Sequence, residues 1–441
     1  MTQEELYEVG RNALKQGEKS GAGELEVFCI SGRSTNIEIT KDEVSLARES
    51  FERGVGVRVL TDGTIGFSST SDFDKINEAV IEAIKCAGAS DVEGDWKSLP
   101  PGGEYPIVKG AFHKKVDEVT IEDCLNYASD MIEGAKQPRS RPTSGSLRCL
   151  SYDFLILNSN GVDVGKKETF VQAFIESMAE EGSDLSTAYD FEVSRNLNID
   201  FFELGKSSSM LAENSLHGVK ISPETTTLLF RPYAFSDILE NAFIPSLNAE
   251  NVQKNRSSLA GKIGEVIASD ELSIADDGLA DSGIGTSPSD DEGVPSQKTD
   301  IILKGELKSF LYDHHTASKE ERSSTGNATR TTYSKLPHIG IRNLTFKHPT
   351  SDLIAETDNG VLITSVIGGH TANPVSGDFS LDGRNAYLVK DGSIEEPIKQ
   401  VMISGNVFDL LKNINGLDTD VRMVGNVIVP TVRVRDMRVL G

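Results

Sequence analysis

Residues 146–178 read SLRCLSYDFLILNSNGVDVGKKETFVQAFIESM, and their alternation decides the fold. Ser146 to Asn158 and Val162 to about Met178 are expected as two strands joined at Ser159-Asn160-Gly161, a turn of residues that tolerate left-handed backbone. The hairpin outruns the usual strand of about five or six residues. Upstream, Thr120 is placed to cap a helix reaching about Ala135, and downstream a helix from about Gly205 to Leu216 ends at His217-Gly218. These elements make residues 113–220 a middle α+β domain.

Working outward, residues 91–112, DVEGDWKSLPPGGEYPIVKGAF, hold three prolines and four glycines without periodicity and read as a linker. Before it, residues 1–90 read as a small N-terminal α+β domain. Thr2 and Glu5 form a capping box for a first helix, which Gly21-Ala22-Gly23 stops. Strand-like runs follow at Leu25–Cys29, Ile37–Thr40 and Val44–Arg48. Gly54–Leu60, the Asp62-Gly63 turn and Thr64–Ser68 read as a tight hairpin with glycines where backbones approach. From Asp72 an apolar stripe at helical spacing runs from Ile76 to Ala87. After Pro223, residues 221–441 form the largest domain, rich in short, mostly antiparallel strands, with helical patterns near Phe235–Leu247, Leu259–Ala268 and Val407–Ile414. The expected class is multi-domain α+β.

The chain has 441 residues, with 44 Lys plus Arg against 68 Asp plus Glu, a net charge of −24. A protein that neutralises phosphates needs a basic face, and the basic cluster here is the short run Arg433, Arg435, Arg438, so a nucleic-acid-binding role is disfavoured. No apolar stretch reaches the roughly 18 residues of a membrane span, and the acidic start MTQEELYEVG is unlike a secretory signal. The expected compartment is the cytoplasm, with no membrane partner. Cys29, Cys86, Cys124 and Cys149 form no CxxC pair and read as free buried thiols.

Isolated motifs carry little chemistry. Asp276-Asp277, Asp281 and Asp290-Asp291-Glu292 lack the order of an EF-hand loop and read as a solvated, turn-rich loop within the acidic stretch 265–300. Asp313-His314-His315 reads as part of a strand, where neighbouring imidazoles point to opposite faces, so His314 and His315 are weak metal candidates. Ser324-Thr325-Gly326-Asn327 is either an anion- or peptide-backbone-binding nest at a cavity or a turn that satisfies its own backbone. Gly54-x-Gly56 is explained by the hairpin, and there is no GxSxG elbow or P-loop.

Four longer stretches together resemble one family: SLARESFERGVGVRVLTDGTIGFSSTSD (Ser45–Asp72), DDEGVPSQKTDIILKGELKSFLYD (Asp290–Asp313), STGNATR (Ser324–Arg330) and GDFSLDGRNAYLVKDGSIEEPIKQVMISGN (Gly377–Asn406). In order and spacing they resemble the TldD/PmbA proteins, once called modulators of DNA gyrase. In the TldD branch the resemblance implies an HExxxH helix whose two histidines, with a C-terminal cysteine, hold zinc. Placed on this chain, the motif falls on Ser236–Ile244, where Leu239 and Ile244 replace the histidines and Glu240 alone matches. The final stretch VRMVGNVIVPTVRVRDMRVLG has no cysteine.

The chain is therefore similar to the PmbA branch, also called TldE. The resemblance implies a subunit without its own cofactor that pairs with a zinc-bearing TldD-like partner as a heterodimer, the two processing unfolded peptides in a shared cavity. A homodimer of the isolated chain, active as a metallopeptidase through ligands such as His314, His315 or His370, is the alternative.

Overall fold

The computed structural model describes residues 3–89 and 94–441. Thr2 of the expected capping box, and residues 90–93 at the start of the expected linker, lie outside the described residues. Six strands form one antiparallel sheet in the order β3-β2-β1-β4-β5-β6. They are β1 (Glu24–Thr40), β2 (Glu43–Thr61), β3 (Thr64–Thr70), β4 (Ser140–Asn158), β5 (Asp163–Glu181) and β6 (Asp184–Ser194). The long hairpin is β4–β5, longer at its open end than the alternation alone requires. The β2–β3 turn puts both Asp62 and Gly63 at positive φ, the geometry of a two-residue hairpin loop.

The runs expected at 25–29 and 37–40 are one continuous strand, because Ser31–Asn36 also pair on both sides. β1 pairs with β4 from Glu26–Asn158 to Thr40–Ser144. The stretches 1–90 and 113–220, read from sequence as separate domains, thus share one sheet.

Four helices cover one face of that sheet. Gln3–Lys19 and Ile76–Gly88 pack on Val27, Cys29, Leu155 and Leu157 at one end. Ile121–Ala135, with its Thr120–Asp123 capping box, and Phe201–Asn214 pack on Ile37, Ile39, Leu147 and Cys149 at the other. Each fully buried aliphatic side chain contributes about 1.5–3 kcal/mol, so alternation over this length fixes the register. The intervening residues Phe28, Ile30, Ile156 and Val164 form a separate cluster on the opposite face, against Tyr333 of the C-terminal part. Of the four cysteines, Cys86 is exposed rather than buried, because it lies on the outer side of its helix.

In the C-terminal part, β7 (Glu224–Phe230), Asn359–Ile367, Asp378–Lys390, Val401–Asn406 and Val432–Leu440 pair in a closed ring, a small barrel. A second six-stranded sheet, built on short strands such as Ser273–Asp277, Leu344–Lys347 and Val427–Val429, lies across one core from it. The expected helix at Leu259–Ala268 is absent, and the segment is a run of turns in which Gly261 and Gly264 adopt positive φ. The expected helix near Val407 spans Val407–Lys412. The protein is α+β and multi-domain.

Candidate functional site

The helix that matters for chemistry starts at Pro232, whose missing N–H costs nothing at a helix N-terminus. It runs as α-helix to Ile238, as a π-turn over Leu239–Phe243, and as α-helix again over Ile244–Leu247. Pro245 cannot donate to the carbonyl four residues back and its ring crowds that carbonyl, which accounts for the widened turn just before it. Phe235, Ile238, Leu239, Phe243 and Leu247 fill the core between barrel and second sheet.

In a regular α-helix residues five apart point about 140° away from each other. The π-turn, closed by Ile244 N–H donating to the Leu239 carbonyl, turns Leu239 and Ile244 toward one side. Those are the two positions where the resemblance puts zinc-binding histidines. Hydrocarbon side chains carry no donor atom, so the residues here do not fit a metal held in that way. Among the described residues no three His, Cys, Asp or Glu side chains converge as metal ligands.

Glu240 is exposed, yet its carboxyl is crowded by protein and by Asp237, and both effects raise its pKa. Burial likewise raises Asp237, against the hydrogen bond from Asn241 and the charge of His370. Asn241 Nδ2 lies 2.8 Å from Asp237 Oδ1. The C-terminal stretch does pass this helix: a Cβ on Gly425 would stand 3.9 Å from Glu240 Oε1.

The other sequence candidates lie apart from this helix. His314 and His315 open the short helix His314–Lys319, capped by Asp313, and not a strand. His314 Nε2 lies 3.1 Å from Ser98 Oγ. His315 stacks on Trp96 with ring centres 4.0 Å apart, and burial, then Lys319, push its pKa down to about 4. His370 is exposed on the turn Gly369–Thr371. In Ser324-Thr325-Gly326-Asn327 the hydroxyls turn inward: Ser324 and Thr325 donate to the Tyr312 carbonyl at 3.1 and 3.0 Å, and buried Asn327 donates to Asp276 Oδ2 at 2.7 Å.

Sequence reasoning missed the acids. The stretch 265–300 is not a uniformly solvated loop, since Asp276, Asp290 and Glu292 are buried. They stay buried because each meets donors. Arg58 of β2 spans Glu292 Oε1 at 2.7 Å and Glu26 Oε2 at 2.5 Å, and Arg330 also pairs with Glu26. Lys166 meets Asp291 at 2.9 Å, and Arg195 meets Glu168 at 3.2 Å. Against the cost of burial, these cations hold Glu292, Asp291 and Glu168 below the usual carboxylate range. Asp290, beside Glu292, goes the other way and is pushed up to about 7.

This network clasps the six-stranded sheet to the C-terminal part. It joins GVRV, DDEG and NATR, three pieces of the stretches that carried the resemblance. The signal was an Arg in the middle of an otherwise apolar strand run, Val57-Arg58-Val59, which demands a buried partner. Beside the clasp lies a cleft of about 450 Å³ walled by Phe28, Tyr152, Phe154, Arg148, Lys166 and Tyr333. Tyr333 lies flat on Gly54, where any side chain would collide with its ring.

A six-stranded sheet is thus clasped to a barrel domain whose core helix carries a π-turn. Sequence profiles of the PmbA/TldA metallopeptidase domain 1, central domain and C-terminal domain match residues 25–89, 114–216 and 223–441. The chain belongs to the PmbA/TldD family. An uncharacterised protein of Methanocaldococcus jannaschii is 35% identical over 95% of this chain and 97% of its own length. A protein of Methanothermobacter thermautotrophicus named as a metalloprotease is 27% identical over 89% and 87%. The crystal structure of TldE from Thermococcus kodakarensis superposes with a TM-score of 0.93 at 26% identity, covering 98% of this chain and all of that one. No helix among the described residues is long and apolar enough to cross a membrane.

Proposed function

We propose that the chain is the PmbA/TldE-type subunit of a cytoplasmic TldD/TldE-type peptidase complex that processes unfolded peptides, with the zinc and its ligands supplied by a TldD-like partner. The observation that carries this reading is the helix Pro232–Leu247. The resemblance puts ligands at Leu239 and Ile244 of this helix, and both are hydrocarbon. The likeness to TldE from Thermococcus kodakarensis over the whole chain supports the same branch. The partner contributes metal and base, and this chain contributes walls and peptide-holding surface.

The test is metal content and cleavage of a disordered peptide, measured on the chain alone and on the chain co-purified with a TldD-like subunit. Zinc and cleavage only in the co-purified sample are expected. About one zinc per isolated chain, with chelator-sensitive cleavage, would establish the homodimeric enzyme instead.

A further inference from the structure

Two of the four thiols are neighbours. Cys124 Sγ and Cys149 Sγ lie 3.7 Å apart, and the two residues are 0% and 3% exposed. Cys124 sits in the first turn of the helix Ile121–Ala135, and Cys149 lies midway along β4, opposite Thr35 of β1 and Val171 of β5. The contact therefore bridges the helix layer and the middle of the six-stranded sheet. Both sulfurs are free thiols, and a disulfide needs them about 2.05 Å apart. Closing the gap asks each sulfur to move by roughly 0.8 Å, a small rotation about each Cα–Cβ bond.

The pair is also chemically unequal. The hydrogen bond with Cys149 lowers the Cys124 thiol below its ordinary value against burial, and the charge of Arg33 pulls the same way. Cys149 goes up, through the bond to Cys124 and through burial. A thiolate beside a thiol is the division of labour of an attacking and a resolving sulfur. Cys29 has no such help, and burial pushes it up to about 12. Directly across from Cys149, Thr35 is buried with its hydroxyl unpartnered. Opposite residues of an antiparallel pair share a face, so this free polar atom lies on the side of the sulfurs.

We propose that Cys124 and Cys149 are an oxidation site, a dithiol that hydrogen peroxide converts to a disulfide fastening the helix Ile121–Ala135 to β4. The Cys124 thiolate attacks one peroxide oxygen, the O–O bond breaks, and the departing hydroxide takes a proton to become water. Thr35 offers a hydrogen-bond partner to the sulfenic group left on Cys124. The Cys149 sulfur then attacks the Cys124 sulfur, the S–O bond breaks, and the Cys149 proton leaves with that hydroxyl as a second water. Two thiols lose two electrons, and peroxide gains them. Access is through the first helical turn, where Ile121 and Glu122 are exposed and where local opening is easiest. In a reducing compartment the bond is transient, because thiol exchange undoes it. Its ends are 25 residues apart in sequence, so the crosslink restricts the unfolded chain and stabilises the fold.

The experiment uses the full, reduced chain and hydrogen peroxide. Alkylation after denaturation should count all four thiols before treatment and only Cys29 and Cys86 afterwards, with a peptide map joining Cys124 to Cys149. The thermal midpoint should rise by roughly 5 °C, and dithiothreitol should restore both the thiols and the original midpoint. Cys149→Ala should halt the reaction at a dimedone-reactive Cys124. Cys86→Ser, an exposed change on another helix, should leave the crosslink unchanged. Full alkylation of Cys124 and Cys149 after peroxide, oxidation confined to Cys86, or a disulfide joining two chains overturns the proposal. A crosslink that leaves the midpoint unchanged or lower overturns it as well. The map is made on the unsubstituted chain, so a variant that fails to fold does not shield the proposal.

Discussion

Arg58 and Glu292, 234 residues apart, meet at 2.7 Å with both side chains fully buried. One end of the pair stands on the six-stranded sheet and the other on the C-terminal part, so the contact exists only in the assembled chain. A buried cation between two carboxylates is more costly to lose from one side than to have been omitted altogether.

Arg58→Met should accordingly lower stability by about 3–5 kcal/mol, because Glu26 and Glu292 are left short of a counter-charge. Combining it with Glu292→Gln should recover part of that loss. Denaturant midpoints of the two single variants and the double variant check this, and strict additivity would show that the residues are not coupled.

Asp290 predicts a pH dependence of opposite sign to that of its neighbours. Burial and the charge of Glu292 raise it to about 7, above the ordinary carboxylate value of about 4. Its contribution is therefore complete below about pH 4 and lost as pH rises through about 7. Glu292 and Asp291, held low by Arg58 and Lys166 against burial, act below the ordinary range, where stability falls as pH falls. Between pH 5 and 8 the denaturant midpoint should decline, and Asp290→Asn should flatten the slope. A midpoint that rises over that interval would contradict the assignment.

Trp96, the single tryptophan of the chain, reports on His315 through their 4.0 Å stack. With His315 held neutral down to about pH 4 by burial and Lys319, tryptophan fluorescence should stay level from pH 8 to 5 and drop only below that. His315→Ala should remove the drop. A midpoint near the ordinary imidazole value of about 6.5 would mean the ring is solvated.

Glu240→Gln tests whether the matched glutamate has chemistry of its own. If a TldD-like partner supplies the metal, Leu239 and Ile244 hold no metal-bound water for it to activate, and turnover by the co-purified complex should change less than about twofold. A loss of a hundredfold or more, the scale of removing a general base, with assembly intact, would put Glu240 in the catalytic machinery.

Much of this architecture was legible before any coordinates. Period-two alternation over 146–178 announced the central hairpin, Asp62-Gly63 its smaller neighbour, and Thr120 a helix start, because each signal is local. The continuity of β1 with β4 was not legible, since pairing between residues more than a hundred apart leaves no local mark, and the Pro- and Gly-rich 91–112 looked like a boundary. The acids of 265–300 misled for a related reason. Asp and Glu next to Gly and Pro suit a solvated turn, and the distant Arg58 and Lys166, with Asn327 and backbone N–H groups, make their burial tolerable. That Leu239 and Ile244 stand at ligand positions is what the resemblance implies, whereas the π-turn between them follows from Pro245 and its missing donor.

The pairing of β1 with β4 has a consequence for synthesis. Thr40 must wait for Ser144, and Glu26 for Asn158. At about 5–20 residues per second, the ribosome delivers the second strand roughly 5–25 s after the first has emerged. Throughout that interval one whole side of β1 is an unpaired nascent edge, open to pairing with another chain. A truncation ending near residue 100 would hold the chain in that state permanently, which makes it a fragment that aggregates rather than a domain that folds.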